Sequence, residues 1–176
     1  MIMPRGQQLL LPANPLFILM TLLMALFANM VANISLVGNA AWMPDFLALV
    51  LVFWCVHQPR LVGVGVAFFF GVATDVHQSS LLGQHALTYT ALGFMAILMH
   101  RRLLWFTVPS QAMQVLPMFI AAQALELMVR MISGALFPGP TIFLAPLIEA
   151  LLWPVVSVLL LAPQRRAPNP DANRPL

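Results

Sequence analysis

Long apolar stretches alternate with short polar connections along most of this chain. About 20 apolar residues in a helix cross the hydrocarbon core of a bilayer, which is about 30 Å thick. The clearest stretch, 16–36, is interrupted only by Asn29, Asn33 and a few hydroxyl groups, and turn-forming residues bound those that follow. The pattern predicts six membrane-spanning helices, at residues 16–36, 44–56, 61–74, 86–99, 111–132 and 141–162.

The second and third stretches are short, and only His57-Gln58-Pro59-Arg60 separates them. A single long span across both would place Arg60 and a proline in the middle of the bilayer, where an arginine costs at least about 2.5 kcal/mol. A hairpin of two short helices is therefore favoured, and the single long span is the alternative.

The two ends of the chain differ in character. Residues 1–162 are interpreted as one transmembrane domain, and residues 163–176 as a short disordered tail, because they hold four prolines among Gln, Arg, Asn and Asp. A signal peptide is the rival interpretation of the beginning, since Asn39-Ala40-Ala41 resembles a cleavage site. The first apolar run exceeds the roughly 7 to 15 residues usual in a signal peptide, so a retained anchor is expected.

Composition agrees with a membrane protein. Hydrophobic residues make up 61% of the chain and charged residues 7%, with a mean hydropathy of +0.93; soluble domains carry about 25% charged residues. The single cysteine, Cys55, excludes an intrachain disulfide. The arginines never cluster beyond two, so the basic balance does not indicate nucleic-acid binding.

The arginines instead indicate topology. Only Arg130 lies near one face of the predicted bundle, and the other seven lie in alternate connections or tails: Arg5, Arg60, Arg101, Arg102, Arg165, Arg166 and Arg174. Positively charged connections stay in the cytoplasm. We therefore expect an all-α, polytopic integral membrane protein with both termini cytoplasmic.

Three small residues spaced four apart, Gly63, Ala67 and Gly71, lead up to Asp75. On one helix they share a face, and small residues allow another helix backbone to approach closely in lipid. We expect this face to pack against a neighbouring span of the same chain. A role for Asp75 in capping or orienting the outer loop is compatible with that packing.

Other ionisable residues lie inside or beside the spans. Glu126 and Arg130 are four apart and are expected to neutralise each other. Glu149 has no local cation, and such a carboxyl usually faces the protein interior or a partner. Asp75, Glu126, Arg130 and Glu149 are thus candidates for structural or partner contacts. Together with Asp45, they all fall in the predicted outer half of the spans or beyond it. The predicted inner half of every span is apolar, which argues against a pathway for ions or solutes.

Catalytic patterns are weak. Asp75, His77 and His85 lie in one predicted loop, but their spacing makes a poor metal site. The sequence also lacks a Gly-x-Ser-x-Gly nucleophile turn and a phosphate-binding loop. We therefore expect neither an enzyme nor a cofactor or metal.

Several motifs occur in a fixed order: Pro44-Asp45-Phe46-Leu47, Val52-Phe53-Trp54, Pro59-Arg60, Gly63-x-Gly65-x5-Gly71-x3-Asp75-x6-Leu82-Gly83 and Leu152-Trp153-Pro154. In order and spacing, this set resembles the MreD family of bacterial rod shape-determining proteins, over roughly residues 42–166.

The resemblance implies a non-enzymatic scaffold in the bacterial inner membrane, within the cell-elongation complex that synthesises peptidoglycan and maintains rod shape. The partners it implies are an MreC-like single-span protein, the actin-like MreB, and the RodA glycosyltransferase with its class B penicillin-binding protein. It implies no catalytic residues.

A second class of protein also has this length and six spans: the substrate-binding membrane subunit of an energy-coupling-factor vitamin transporter. Such a subunit needs an outer pocket lined by aromatic side chains and a few polar groups. The predicted outer loops are poor in aromatics, and Trp42 is the only tryptophan near that face.

Overall fold

The computed structural model describes residues 14–35 and 42–164. These residues form six α-helices and two short 3₁₀ turns, at Pro140–Phe143 and Ala162–Gln164, and no strand. The helices are α1 Pro15–Ser35, α2 Phe46–His57, α3 Val64–Gln78, α4 Gln84–Leu104, α5 Val108–Ile132 and α6 Leu144–Leu161. The all-α class is therefore confirmed, and each helix coincides with one predicted span to within a few residues.

Within residues 14–35 and 42–164, three segments are long and apolar enough to cross a membrane by themselves: Pro15–Ala32, Val108–Ile132 and Pro140–Gln164. α2 is a shorter apolar helix, and at about 1.5 Å per residue it is far shorter than a bilayer core is thick. A turn at residues 58–63 separates α2 from α3, so the two are separate helices rather than one continuous helix, and both pack against α4.

The structure corrects several predicted boundaries. α3 continues to Gln78 and α4 begins at Gln84, so Asp75, His77 and His85 lie on helices and not in a common loop. Helix α4 also continues through Leu104. The last 3₁₀ turn includes Gln164, whose side chain donates to the backbone oxygen of Leu160 at 2.9 Å, so an irregular tail does not begin at residue 163.

Other predictions lie outside the described residues. These are the cleavage-site alternative at Asn39-Ala40-Ala41, the remainder of the tail at 165–176, and four of the arginines: Arg5, Arg165, Arg166 and Arg174.

Helix α2 forms the centre of the fold. Its residues from Leu47 to Val56 are buried, except for the half-buried Val50, and a helix that is apolar all round belongs in a core. It packs against α1, α4 and α6, while α4 packs against α3 and α5, and α5 against α6. The outer faces carry exposed apolar side chains, such as Phe69 at 70% and Met113 at 79% exposure, which is the surface expected to face lipid.

The helices run alternately up and down. Asn29, late in α1, contacts Asp45 at the start of α2, whereas Thr21, early in α1, contacts Trp54 late in α2. We call the end where α1, α3 and α5 finish and where α2, α4 and α6 begin the acidic end, because it carries every acidic residue of the described part: Asp45, Asp75, Glu126 and Glu149. Arg60, Arg101 and Arg102 lie at the opposite end.

Candidate functional site

The small-residue face of α3 packs on α4 at two of its three predicted positions. A Cβ atom on Gly71 would lie 2.4 Å from the Cα atom of Ala86, and Ala67 is buried, with its Cβ 3.2 Å from the ideal Cβ position on Gly93. Around Gly63 there is nothing within 4 Å, since this residue precedes α3. The geometry thus removes Gly63 from the predicted stripe and leaves Ala67 and Gly71.

Asp75 organises the turn between α3 and α4. Its two carboxylate oxygens accept hydrogen bonds from the backbone N–H groups of Gly83 and His85, both at 2.8 Å, and of Ala86 at 3.3 Å. They also contact the Ser80 hydroxyl at 3.0 Å and His85 Nδ1 at 2.8 Å. The first N–H groups of a helix have no partner within the helix, so this carboxylate caps α4 from a different helix.

The hydrogen bonds also decide the protonation of Asp75, which lies one residue beyond the predicted span 61–74. Burial by itself raises the pKa of Asp75, but the N–H groups of His85, Gly83 and Ala86 and the His85 side chain together lower that pKa below its ordinary value. Donors that bond to a carboxylate favour its charged form. The charged form is therefore the one that holds the turn.

Glu126 and Arg130 on α5 extend this group of polar contacts. Glu126 Oε1 lies 2.9 Å from Arg130 Nη2, accepts from Gln84 Nε2 at 3.2 Å, and is 3.8 Å from His85 Nε2. His85 therefore lies between Asp75 and Glu126. We call these residues the turn cluster: Asp75, Ser80, Gln84, His85, Glu126 and Arg130.

A second group of polar contacts surrounds the first residues of α2. Asp45 caps the helix by accepting from the N–H of Ala48 at 2.9 Å, and Glu149 accepts from the N–H of Asp45 at 2.8 Å. Asn29 accepts from the N–H of Phe46 at 2.9 Å and donates to Asp45 at 2.6 Å, and Tyr89 donates its hydroxyl to the other Asp45 oxygen. We call Asn29, Asp45, Tyr89 and Glu149 the cap cluster.

The cap cluster explains why Glu149 has no cation. The first N–H groups of α2 have no acceptor within the helix, and this start lies among the ends of other helices. Side chains from α1, α4 and α6 converge on that point, so the N–H groups of Asp45, Phe46 and Ala48 all have side-chain acceptors. Glu149 is 4% exposed and is one of these acceptors.

A cavity of about 600 Å³ separates the two clusters at the acidic end. Its wall includes Asn29 and Asp45 from the cap cluster and Ser80, Gln84, His85, Glu126 and Arg130 from the turn cluster. Among the described residues that line it there is no Phe, Tyr or Trp. The acidic end therefore has a polar concavity of ligand size, without the aromatic lining that vitamin capture requires.

The opposite half of the bundle is less apolar than predicted. Trp54 donates its indole N–H to the Thr21 hydroxyl at 2.9 Å, and the Trp153 indole donates to Gln111 at 3.2 Å. Neither pair is ionisable. The acidic residues of the described part all lie at the acidic end. The opposite half, which corresponds to the predicted inner half, is not purely apolar as expected, because it holds these two uncharged polar pairs.

Sequence reasoning did not predict the cluster contacts of six residues: Asn29, Asp45, Ser80, Gln84, His85 and Tyr89. Asp45 carried a usable signal, because an Asp just before a long apolar run is a typical helix N-cap. Asn29 and Tyr89 come from distant positions, and no spacing along the chain indicates their meeting with Asp45. Ser80, Gln84 and His85 lie within ten positions of Asp75, in a segment that the sequence predicted as a loop. No group of three metal-ligating side chains occurs within the described ranges 14–35 and 42–164.

Comparison with known proteins identifies the family. The family model described as rod shape-determining protein MreD matches residues 12–162. The rod shape-determining protein MreD of Haemophilus influenzae is 31% identical over 128 residues, which cover 70% of this chain and 76% of that protein. No solved structure matches. A match over nearly all six helices, with the motif order noted above, shows that this chain belongs to the MreD family of rod shape-determining proteins.

Proposed function

We propose that this protein is a non-enzymatic scaffold of the bacterial inner membrane, within the complex that synthesises peptidoglycan during cell elongation. Family membership supports the role in rod shape. The scaffold role is supported by what the ionisable residues do, since Asp45, Asp75 and Glu149 each accept hydrogen bonds from backbone N–H groups near the start of α2 or α4. Their geometry is that of helix caps, which hold the bundle together.

The orientation we propose places both termini in the cytoplasm and the acidic end outside. The arginines support this, because Arg60, Arg101 and Arg102 lie at the end opposite to the acidic residues. Positively charged connections favour the cytoplasmic side. In this orientation the cavity and the turn cluster face the periplasm, where an MreC-like protein, RodA and a class B penicillin-binding protein are the proposed partners, and MreB is the proposed partner on the cytoplasmic side.

The exposure of the Glu126 and Arg130 side chains supports the contact that we propose. Arg130 is 37% exposed at its side chain while its partner Glu126 is 15% exposed, so this pair reaches the surface. Glu149 is buried and is hydrogen-bonded inside the bundle. The pair on α5 is therefore the better candidate for contact with a partner, and Glu149 is assigned to internal capping.

Complementation in a rod-shaped bacterium depleted of its own MreD tests this function. We expect the wild-type chain to restore rods. The Arg130→Gln variant should give rounded cells at normal protein levels, because Arg130 holds the Glu126 carboxylate in place through an ion pair that glutamine cannot form. A matched control is Arg101→Gln, which makes the same substitution at an exposed arginine of the opposite end. Rods of normal width with Arg130→Gln would exclude this pair from the function.

A further inference from the structure

The cavity at the acidic end has an opening and unused hydrogen-bonding groups. Its volume of about 600 Å³ falls within the range of roughly 300 to 1,000 Å³ typical of binding sites. Three lining side chains, His77, Gln78 and Gln123, have no hydrogen bond or ion pair within the described parts of the chain. The cavity wall therefore offers both donors and acceptors.

Glu126 is the most informative group in the wall. Its Oε1 atom carries all the contacts of the carboxylate, to Arg130, Gln84 and His85. Its Oε2 atom has no hydrogen-bond donor among the described residues. Glu126 is 15% exposed at its side chain and lines the cavity, so this oxygen remains available to a ligand that donates a hydrogen bond.

The charges favour a cation. Asp45 and Glu126 line the cavity, against Arg130 as the single arginine in its described wall. A third carboxylate, Asp75, lies directly behind His85 at 2.8 Å. The carboxylates of this region therefore outnumber its arginine. An excess of one sign of charge in a cleft attracts ions of the opposite sign.

The apolar part of the wall suits an aliphatic stem. Met43, Leu81, Pro138 and Ile142 line the cavity beside the polar groups. Lysine and arginine side chains bury their methylene groups on such surfaces while the charged end finds polar partners. A zwitterionic lipid headgroup fits less well, because its phosphate would add negative charge where the one arginine already contacts Glu126.

We propose that this cavity binds a lysine or arginine side chain from the membrane-proximal segment of a partner polypeptide, with Glu126 Oε2 and Gln123 as its main contacts. This inference rests on the proposed scaffold function and adds the chemistry of the contact. It assigns a new task to Glu126, which holds Arg130 with one oxygen and receives the partner's cation with the other.

Charged thiol reagents test the proposal. In a Cys55→Ala background, full-length Gln123→Cys protein in phosphatidylcholine nanodiscs is treated with a trimethylammonium or a sulfonate methanethiosulfonate reagent. The rate of thiol modification by each reagent is divided by the rate of the same reagent on Leu136→Cys. Leu136 is 94% exposed at the acidic end and serves as the reference position. We expect a normalised preference for the cationic reagent of about tenfold, the lower limit for a focusing cleft, and a loss of most of this preference in Glu126→Gln.

Co-expression of the single-span partner provides the second readout. It should slow modification of Gln123→Cys and leave that of Leu136→Cys unchanged. Equal normalised rates for the two reagents, or a faster anionic reagent, would overturn the proposal. Protection by phosphatidylethanolamine but not by the partner would also overturn it, in favour of a lipid headgroup. If the partner copurifies but does not protect the thiol of Gln123→Cys, this inference fails and the scaffold function stands. If the preference for the cationic reagent holds but no partner copurifies, the scaffold function fails.

Discussion

The ideal Cβ position on Gly71 lies 2.4 Å from the Cα atom of Ala86, so the backbones of α3 and α4 touch where these helices meet. The same position is 2.7 Å from the Ala86 nitrogen and 2.7 Å from the His85 oxygen. These are backbone atoms, which cannot rotate away as a flexible side chain can. Only a glycine at position 71 permits this approach, and four residues later Asp75 caps the helix that Gly71 touches.

The first prediction concerns this contact. Gly71→Ala should lower the free energy of unfolding by about 1 to 3 kcal/mol, the usual cost of overpacking. Gly65→Ala is the matched control, since it lies on the same helix and has nothing within 4 Å of its Cβ position. The control should be neutral or stabilising by about 0.5 to 1 kcal/mol, because alanine favours a helix. Thermal unfolding in detergent measures both, and equal Tm values would contradict the close approach.

The second prediction concerns the charge on Asp75. Asp75→Asn should destabilise the protein by about 1 to 3 kcal/mol at neutral pH, because an amide replaces a charged acceptor of several N–H groups. Folding lowers the pKa of Asp75 below its ordinary value of 3.8, through the hydrogen bonds that outweigh the effect of burial. The stabilisation is therefore complete above this ordinary value and is lost as the pH falls through the folded pKa.

A pH series of Tm values checks this sign. The difference between wild type and Asp75→Asn should be largest near neutral pH and should shrink below pH 3.8. A difference that stays constant down to strongly acidic pH would mean that the charge of Asp75 does not stabilise the turn.

The third prediction separates two roles for Glu149. Glu149→Gln keeps an oxygen that can accept from the N–H of Asp45, so it should retain most of the stability and all of the rod-shape function. Glu149→Leu leaves that buried N–H without its acceptor and should cost about 1 to 3 kcal/mol. Thermal unfolding and complementation are measured on both variants. Rounded cells with a stable Glu149→Gln protein would return Glu149 to a contact with a partner.

The fourth prediction concerns topology. Leu136 is 94% exposed at the acidic end, and Trp105 is 90% exposed at the opposite end. In a Cys55→Ala background, Leu136→Cys should react with a membrane-impermeant thiol reagent in intact spheroplasts. Trp105→Cys should react only after the cells are opened. The reverse labelling pattern would invert the proposed orientation.

The helices were predictable because each depends on a local pattern. Apolar length fixed their number, and the cost of placing Arg60 inside lipid separated α2 from α3. The i, i+4 spacing of Glu126 and Arg130 also brought together two side chains that the structure joins at 2.9 Å. The residues at which the helices end were less predictable. Polar residues such as Asp75 and His77 resemble a loop in sequence, whereas α3 continues through them and Asp75 bonds to the start of α4.

The cap cluster was not predictable because it joins distant residues. Asp45 and Glu149 are 104 positions apart and meet only when α6 packs beside α2. Glu149 has no cation in its own helix, and this suggested a contact with a partner. The sequence does not show that the start of α2 lies beside Glu149. Gly63 illustrates the opposite error: it has the spacing of a packing residue, but it precedes α3 and has open space around it.

Copurification from native membranes tests the central claim most directly. Tagged wild-type protein and the variants Arg130→Gln and Glu149→Gln are solubilised, captured and analysed by quantitative mass spectrometry, with equal amounts of bait. The scaffold account predicts that the wild type and Glu149→Gln recover an MreC-like protein and wall-synthesis enzymes, and that Arg130→Gln recovers much less of them. Recovery of no wall-synthesis protein by the wild type, or equal recovery by all three, would contradict it.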